Sequence, residues 1–400
     1  MKALRNFLDK LKPNFEEGGK LGMFRSVFDG FETFMFTPNT TSKSGVHIHD
    51  SIDSKRTMIV VIIALIPALL FGMYNTGYQH NLATGIDPGF LMTFIYGFLA
   101  VLPKIIVSYA VGLGIEFVVA QWKKEEIQEG FLVSGMLIPM IVPIDTPLWM
   151  IAIATAFAVV FAKEVFGGTG YNIFNVALVT RAFLFFAYPA EMSGDKVFVR
   201  TDDTFGIGGS QLVDVFSGAT PLGQIGTAAK ESIGSFQAVD VLGTPLTTWD
   251  YFIGLIPGSI GETSVLAILL GAAILLFTGI ASWKTMFSVF AGGAITAALF
   301  NLVGTTVIMT VSPIDHLLLG GFAFGAVFMA TDPVTSARTE TGKYIYGFLV
   351  GAFAIIIRAL NPGYPEGMML AILLMNTFAP LIDFYVVDSN VKRRLKRAVK

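Results

Sequence analysis

The segment from Asp214 to Thr220 holds the residues best suited to covalent chemistry. It reads Asp-Val-Phe-Ser-Gly-Ala-Thr, so a threonine hydroxyl follows two very small residues and an acid precedes them. A hydroxyl forms a phosphoester when an enzyme can bring a phosphate close to it, and Gly218 and Ala219 leave room for that approach. Asp214 can help to hold the metal ion that accompanies a phosphate donor. Thr220 is therefore predicted to accept a phosphate-linked group.

The same segment matches the Asp-x-x-Ser/Thr-Gly-Ala-Thr signature at which a transferase attaches FMN to a threonine, with Ser217 in the Ser/Thr position. With five specified positions at about 5–10% abundance each, an accidental match is rare. The signature predicts covalent FMN on Thr220, and a flavin transferase is then a partner of the chain. The alternative is an ordinary Ser-Gly turn without a modification.

A second candidate binding segment reads Gly-Tyr-Asn-Ile-Phe-Asn and ends at Asn175. The spacing of Asn172 and Asn175 predicts that both amides lie on one helical face, which the chain enters through a glycine-rich break. Such a break exposes backbone donors beside an apolar wall. A flavin needs aromatic burial together with polar groups that orient it. Hydrogen bonding between membrane helices is the alternative role of the two amides.

Three acids interrupt otherwise apolar stretches, namely Glu116, Asp332 and Asp383. Acids inside a membrane are rare and expensive, so each is a functional candidate. Their carboxylates can coordinate Na⁺ together with hydroxyl and carbonyl oxygens. The alternative is a hydrated charge at a helix end. Arg181 and Arg358 are the basic counterparts, and the sequence leaves open whether they pair with acids or with a flavin phosphate.

The composition excludes several kinds of chemistry. The 400 residues include no cysteine, so Cys-ligated iron–sulfur clusters, c-type haem attachment, disulfides and thiol catalysis are excluded within this chain. An electron carrier must therefore be organic, or a metal with other ligands. The histidines at 47, 49, 80 and 316 form no convincing metal set, and the net charge of −2 gives no indication of nucleic acid binding.

The elements that position these residues are predicted to be membrane helices. Hydrophobic residues make up 54% of the chain and charged residues only 14%, whereas a soluble domain has about 25% charged residues. We therefore expect an all-α integral membrane protein with about ten transmembrane helices. Several spans fall short of the ~20 residues of a straight crossing. The predicted spans are 57–75, 91–118, 131–143, 147–162, 175–189, 265–281, 285–303, 313–330, 343–360 and 367–387.

The third and fourth of these spans are separated by three residues with a proline on either side, so they are either two short spans or one broken, re-entrant unit.

One long polar insertion leaves five spans before it and five after it. Each half also has a glycine-rich helix followed by a proline break. Two five-helix inverted repeats are therefore predicted, a pattern of transporters whose sites lie at the membrane midplane.

The basic residues orient the helices. Residues 1–56 hold nine Lys and Arg and the tail 388–400 holds six, together 15 of the 27 in the chain. The positive-inside rule then places both termini in the cytoplasm, which requires an even number of crossings. The predicted domains are an N-terminal segment with an amphipathic helix that lies on the membrane or on a partner (1–56), a first transmembrane half (57–189), an external loop that carries Thr220 (190–262), a second half (263–387) and a basic tail (388–400).

The chain resembles the family of B subunits of the Na⁺-translocating NADH:quinone oxidoreductases nearly from end to end. Besides the FMN signature, the resemblance rests on Asp50-Ser51, Lys55-Arg56, Pro67-Ala68, Gly72-Met73-Tyr74-Asn75, and the stretches 163–170, 181–189, 256–262, 329–333, 361–362 and 364–372.

The resemblance implies one membrane component of a respiratory translocase in the bacterial cytoplasmic (inner) membrane. NADH-oxidising and iron–sulfur subunits would pass electrons to the FMN on Thr220, then to a non-covalent riboflavin at Asn172 and Asn175, and then to ubiquinone, coupled to Na⁺ export. The matching acids would serve the passage of Na⁺. Gly112 would mark the quinone region, although Leu113 replaces the second glycine of the family. Close helix packing is the alternative role of Gly112.

Two other functions remain open from the sequence. The D subunit of the related Rnf complex shares the flavin signature and the helix pattern, but the polar segment 1–56 and the blocks named above favour the quinone reductase. A passive solute channel or transporter would need no modification of Thr220.

Overall fold

The computed structural model describes residues 2–16, 19, 21–36, 44–45, 52–123, 130–193, 197–208, 218–234, 236–361, 363 and 366–398. Over these residues the chain is helical, and its only β-pairing consists of two isolated bridges, Thr204 with Ile207 and Val239 with Pro245. The α-helices are α1 (Lys2–Phe15), α2 (Arg25–Met35), α3 (Ser54–Thr84), α4 (Phe90–Lys123), α5 (Phe131–Met140), α6 (Leu148–Ala158), α7 (Val176–Ala187), α8 (Pro221–Thr227), α9 (Thr248–Ile253), α10 (Val265–Phe277), α11 (Trp283–Val303), α12 (Val307–Thr310), α13 (Pro313–Leu318), α14 (Phe322–Phe324), α15 (Glu340–Leu360) and α16 (Met368–Ala398). Two π-helical turns extend α6 (Val159–Lys163) and α14 (Gly325–Met329).

Six helices within the described residues are long and apolar enough to cross a membrane: α3, α4, α6 with its extension to Phe166, α11, α15 and α16. They are apolar on most of their surface because lipid surrounds them, and a helix satisfies its own backbone hydrogen bonds there. The predicted all-α integral membrane fold is confirmed.

The remaining predicted spans are short or broken. Helices α5, α7 and α10 have 10, 12 and 13 residues, which corresponds to about 15–20 Å of rise and falls short of a ~30 Å hydrocarbon core. The span predicted at 313–330 is interrupted at 319–321, between α13 and α14. The count of ten crossings therefore stays a prediction, and α5 fits the broken, re-entrant alternative.

The packing of the helices follows the two predicted halves. In the first half α4 packs against α6 and α6 against α7, and in the second half α11 packs against α15 and α15 against α16. Contacts of α3 with α10 and of α7 with α16 join the halves. Helix α3 also packs closely on α4, whereas α10 does not pack in this way on α11, so the two inverted repeats stay a prediction. Glycines allow the close crossings, because a side chain on Gly351 of α15 would overlap the backbone of Val289 in α11.

The long loop after α7 lies over the end where α3 stops and α4 starts. The Nδ1 atom of His80 is 2.9 Å from the carbonyl oxygen of Arg200, and the Tyr96 hydroxyl donates to the carbonyl of Asp202 at 2.6 Å. The rings of His80 and Tyr96 stack with centroids 4.0 Å apart. This end of the bundle is opposite to the start of α3 at Ser54.

The N-terminal helix predicted from its amphipathic pattern is present as α1. It packs against α2 through stacked rings of Phe15 and Phe28, and Arg5 and Lys12 both form ion pairs with Glu32. Part of α1 is therefore covered within the same chain.

Candidate flavin and ion sites

Thr220 lies directly before α8, where its side chain caps the helix. Its backbone is extended, and its Oγ1 accepts a hydrogen bond from the amide of Gly223 at 3.0 Å. This position is typical of an N-cap threonine, and Pro221 suits the first helical position because its missing N–H would be unpaired there. Thr220 is half-buried, and Ala219 before it is 9% exposed. Asp214 and Ser217 lie outside the described residues.

A cavity lies beneath Thr220, with a volume of about 390 Å³ when the part open to the surface is included. Thr220 forms its rim together with residues of three other segments: the stretch 256–263, the stretch 318–321, and Glu366. Gly321 has a φ of +66°, and a Cβ there would lie 2.8 Å from the carboxyl group of Glu262. The glycine is required both by this backbone conformation and by the proximity of the carboxylate.

Two buried arginines lie next to this cavity, and the structure decides what each binds. Arg181 of α7 is 2% exposed and donates to Oε1 of Glu262 at 2.9 Å. It also contacts the carboxylate of Glu366 and the carbonyl of Ile141. Arg181 therefore pairs with acids that lie 81 and 185 residues away in the chain.

Arg358 of α15 is fully buried, and it binds mainly backbone oxygens. It donates to the carbonyls of His316 at 2.6 Å, Leu319 at 3.0 Å and Glu366 at 3.3 Å. The carbonyl of His316 lies in the last turn of α13, and those of Leu319 and Glu366 lie outside helices, so Arg358 satisfies acceptors that lack intrahelical donors.

The two candidate asparagines line a second cavity near the start of α3. Its volume is about 90 Å³, and it is open on one side. Asn172, Asn175, Lys163 and Asp332 are among its lining residues. Asn175 donates from Nδ2 to Asp332 at 3.1 Å and accepts from the amide of Leu178 at 3.3 Å. Asn172 donates to the carbonyl of Phe174 at 3.0 Å.

The prediction that the two asparagines share one helical face is wrong. Helix α7 begins at Val176, Asn175 is its N-cap, and Asn172 lies in the preceding turn. Gly167, Gly168 and Gly170 have positive φ angles, so this stretch cannot continue a helix. An asparagine also favours the cap over the helix interior. Both amides nevertheless reach the same cavity.

Glu116 forms an ion pair with Lys163, and both side chains are only 4% exposed. The alternative of a hydrated charge at a helix end does not describe Glu116, because it is buried within α4. No sequence signal connects the two residues, which are 47 positions apart.

The other two candidate acids lie in separate surroundings. Asp332 accepts from the amide of Val334 at 3.0 Å and from the hydroxyl of Thr335 at 3.1 Å, besides its bond with Asn175. Asp383 accepts from the amides of Arg338 and Thr339 at 2.8 and 3.0 Å. Asp332 therefore shares the cavity with the two asparagines, whereas Asp383 holds Thr339, the N-cap residue of α15.

Gly112 is covered by an aromatic ring. A Cβ at this position would overlap the ring of Phe131, which packs directly on the glycine. Close packing between α4 and α5 thus accounts for Gly112 without a ligand, and its role near a quinone stays a prediction.

A further charged cluster, missed from the sequence, joins the long loop to the turn between α5 and α6. Asp145 lies 3.6 Å from Arg200 of the loop, and Lys104 of α4 donates to the carbonyl of Thr146 at 2.6 Å. Burial raises the pKa of Asp145 to about 6, against the opposing attraction of Arg200 and Lys104. Proline on both sides of Asp145 signals the turn, but the partners come from distant segments.

The helices, the buried ion pairs and the two cavities define a polytopic membrane protein with charged groups held between its helices. Buried charge of this kind is characteristic of membrane transport and electron-transfer proteins.

The chain belongs to the NQR2, RnfD, RnfE family, whose sequence model matches residues 41–392. It is 44% identical to the B subunit of the Na(+)-translocating NADH-quinone reductase of Chromohalobacter salexigens, over 99% of this chain and 97% of that protein. The corresponding B subunits of Ectopseudomonas mendocina and Klebsiella pneumoniae are 44% and 42% identical, each over 99% of this chain and all of the relative.

Proposed function

We propose that this chain is the membrane-embedded B subunit of a Na⁺-translocating NADH-quinone reductase, and that it carries FMN on Thr220. The near-complete coverage of relatives with that name supports the assignment to the complex. The family includes both NQR2 and RnfD proteins. The relatives that match almost the whole chain are B subunits of the quinone reductase, which favours that assignment over the D subunit of an Rnf complex.

The observation that carries the flavin assignment is the position of Thr220. Its hydroxyl is half-buried at a loop-to-helix junction and stands at the rim of a cavity. The hydrogen bond from Gly223 is accepted by Oγ1, so an ester oxygen at this atom keeps that acceptor role. The residues therefore fit a phosphate-linked flavin.

The second cavity has a lining that suits the ring and the polar chain of a non-covalent riboflavin. It combines the apolar side chains of Met58, Val61 and Phe328 with the amides of Asn172 and Asn175. Flavins accept one or two electrons and so join one-electron carriers to a two-electron quinone. Because Asn175 is bonded to Asp332, a ligand that draws on this amide would change the surroundings of Asp332.

The acids supply the proposed connection to ion transport. Asp332 lines the second cavity. Lys163 also lines this cavity, and it forms the ion pair with Glu116. A change of charge in this cavity would act on both acids through these contacts. We infer that the termini are cytoplasmic and that the Thr220 loop is external, in the bacterial inner membrane, because 15 of 27 basic residues lie in the terminal segments.

The mass of the intact chain tests the flavin proposal. The chain is expressed with a flavin transferase and isolated under denaturing conditions, and its mass should exceed that of the polypeptide by one FMN. Thr220→Val should abolish both the added mass and the flavin fluorescence of the denatured band.

Thr227→Val is the matched control, since Thr227 is an exposed threonine of the same short helix. It should leave the FMN in place. A wild-type chain without added mass would contradict the redox assignment and favour a solute channel or transporter.

A further inference from the structure

Gln224 joins the peptide before Thr220 to a neighbouring hairpin of the external loop. It lies in α8, one helical turn after Thr220, so the two side chains are on the same side of the helix. Its Nε2 atom donates to the carbonyl of Ala219 at 3.0 Å and to the carbonyl of Val239 at 2.9 Å. Its Oε1 atom accepts from the amide of Val239 at 2.9 Å. Both hydrogens of the side-chain amide are therefore used, one of them on the residue directly before the predicted flavin attachment.

The hairpin that this glutamine reaches is built onto the helix bundle. It covers residues 238–246, and its two arms pair between Val239 and Pro245. Val241 in its turn is 1% exposed and belongs to a buried cluster with Ala83 of α3. The hairpin is therefore a fixed frame, and a group that is bonded to it keeps its position relative to the bundle.

The apolar contacts of α8 do not set the orientation of this peptide. Leu222 and Ile225 are buried and hold the helix itself, but both follow Thr220 in the chain, whereas the carbonyl of Ala219 precedes it. Apolar contacts are non-directional, whereas a hydrogen bond weakens steeply away from its preferred angle. The bonds of Gln224 therefore fix the peptide between Ala219 and Thr220, and with it the direction in which the threonine side chain leaves the backbone.

We propose that Gln224 is a positioning residue for the flavin, because it holds the attachment point at Thr220 in one orientation relative to the bundle. This inference deepens the proposed function and rests on it. The bonds of a phosphate ester rotate, so an attached flavin is held no more firmly than the threonine that carries it. Groups that react with each other must be kept within about 0.5 Å of the productive geometry by supporting residues. Gln224 supplies such support from outside the attachment signature.

Polarised fluorescence of the covalent flavin tests this role. The full chain is expressed with a flavin transferase, and the signal of Thr220→Val is subtracted because it contains only non-covalent flavin. Gln224→Met keeps the shape of the side chain but removes both donors and leaves only a weak acceptor. It should retain the added mass of FMN and lose about half of the wild-type anisotropy, because a released attachment point moves on the nanosecond timescale. Gln237→Met is the matched control and should keep the wild-type anisotropy, because Gln237 lies in the same loop but, among the described residues, donates only to the carbonyl of Leu246 at 3.0 Å.

Gln224→Glu separates the positioning of the flavin from a general loosening of the hairpin. Its carboxylate still accepts from the amide of Val239 but cannot donate to the carbonyl of Ala219. Hydrogen exchange is measured by mass spectrometry on peptides that contain Val239. Exchange of this amide should rise about tenfold in Gln224→Met and by less than about threefold in Gln224→Glu, because only the first variant removes its acceptor. Both variants should release the flavin.

A folded Gln224→Met chain that carries FMN with the wild-type anisotropy would overturn the positioning role, and so would equal losses in Gln224→Met and Gln237→Met. If Gln224→Met does not fold, the anisotropy of Gln224→Glu decides in the same way. Intact mass is measured on every preparation. A wild-type chain without the added mass contradicts the proposed function itself, whereas FMN-carrying variants with unchanged anisotropy contradict only the role of Gln224.

Discussion

Lys163, in the π-helical extension of α6, forms an ion pair with Glu116 of α4, and each side chain exposes only 4% of its surface. Burying two charges is expensive, and their attraction repays that only when both partners are present. The pair also borders the cavity that contains Asn175 and Asp332, because Lys163 lines it. Stability and the polar site thus depend on the same lysine.

Removal of one partner of this pair should destabilise the protein. Glu116→Gln leaves the ammonium of Lys163 without its carboxylate, and the expected loss is about 3–5 kcal/mol of unfolding free energy. Thermal unfolding in detergent measures the effect. Lys123→Met is the control: its 3.4 Å pair with Glu164 is more exposed, and its removal should change stability by less than about 1 kcal/mol. Equal effects of the two variants would contradict this account of the buried pair.

Gly112→Ala should destabilise the contact between α4 and α5, because the added methyl group overlaps the ring of Phe131. Overpacking of this kind costs about 1–3 kcal/mol. Gly114→Ala on the same helix is the control, since nothing lies within 4 Å of its Cβ position, and it should be neutral or slightly stabilising. A stable Gly112→Ala protein with impaired quinone reduction would instead support the predicted quinone role.

Asp383→Ala should loosen the start of α15, because the carboxylate accepts hydrogen bonds from the amides of Arg338 and Thr339. Thr339 is the N-cap residue of α15, and leaving its donors without the carboxylate is expected to cost about 1–3 kcal/mol. Asp388→Ala is the control, because Asp388 lies in α16 like Asp383 but pairs only with the exposed Lys392. This change should alter stability by less than about 0.5 kcal/mol. If Asp383→Ala abolishes Na⁺ transport while the melting temperature is unchanged, the acid has a transport role rather than the role of holding Thr339.

The stability of the wild type relative to Asp145→Asn should depend on pH. The pKa of Asp145 is raised to about 6 in the folded protein from 3.8, so the folded state keeps its proton over a range in which the unfolded state has lost it. This group therefore lowers the unfolding free energy as the pH rises from about 4 to about 6. Asp145→Asn removes this pH dependence. The unfolding free energy of the variant should therefore exceed that of the wild type by the order of 1 kcal/mol above pH 6, after solvent screening. Melting temperatures from pH 4 to 8 measure it, and parallel curves for the two proteins would contradict the shifted pKa.

The membrane class and the long helices could be predicted because both follow from local composition. A run of apolar residues such as 343–360 needs no partner to specify a helix in lipid. Breaks were harder to place. The span predicted at 313–330 looks continuous in hydropathy, yet Gly320 and Gly321 adopt positive φ angles there and place the chain against Leu222 and Glu262. Asn172 and Asn175 line one cavity, but the helix on which both were predicted to lie begins only at Val176, after both of them.

By itself, the sequence determined that this protein is an all-α membrane protein, that Thr220 has the surroundings of a flavin attachment signature, and that acids interrupt its apolar stretches. These properties reside in residue type and short-range spacing. The tertiary structure alone decided which charges meet: Arg181 with Glu262 and Glu366, Lys163 with Glu116, and Asp383 with the start of α15. The reason is that the partners of a buried charge can come from any part of the chain. A local sequence pattern does not specify which helices pack together.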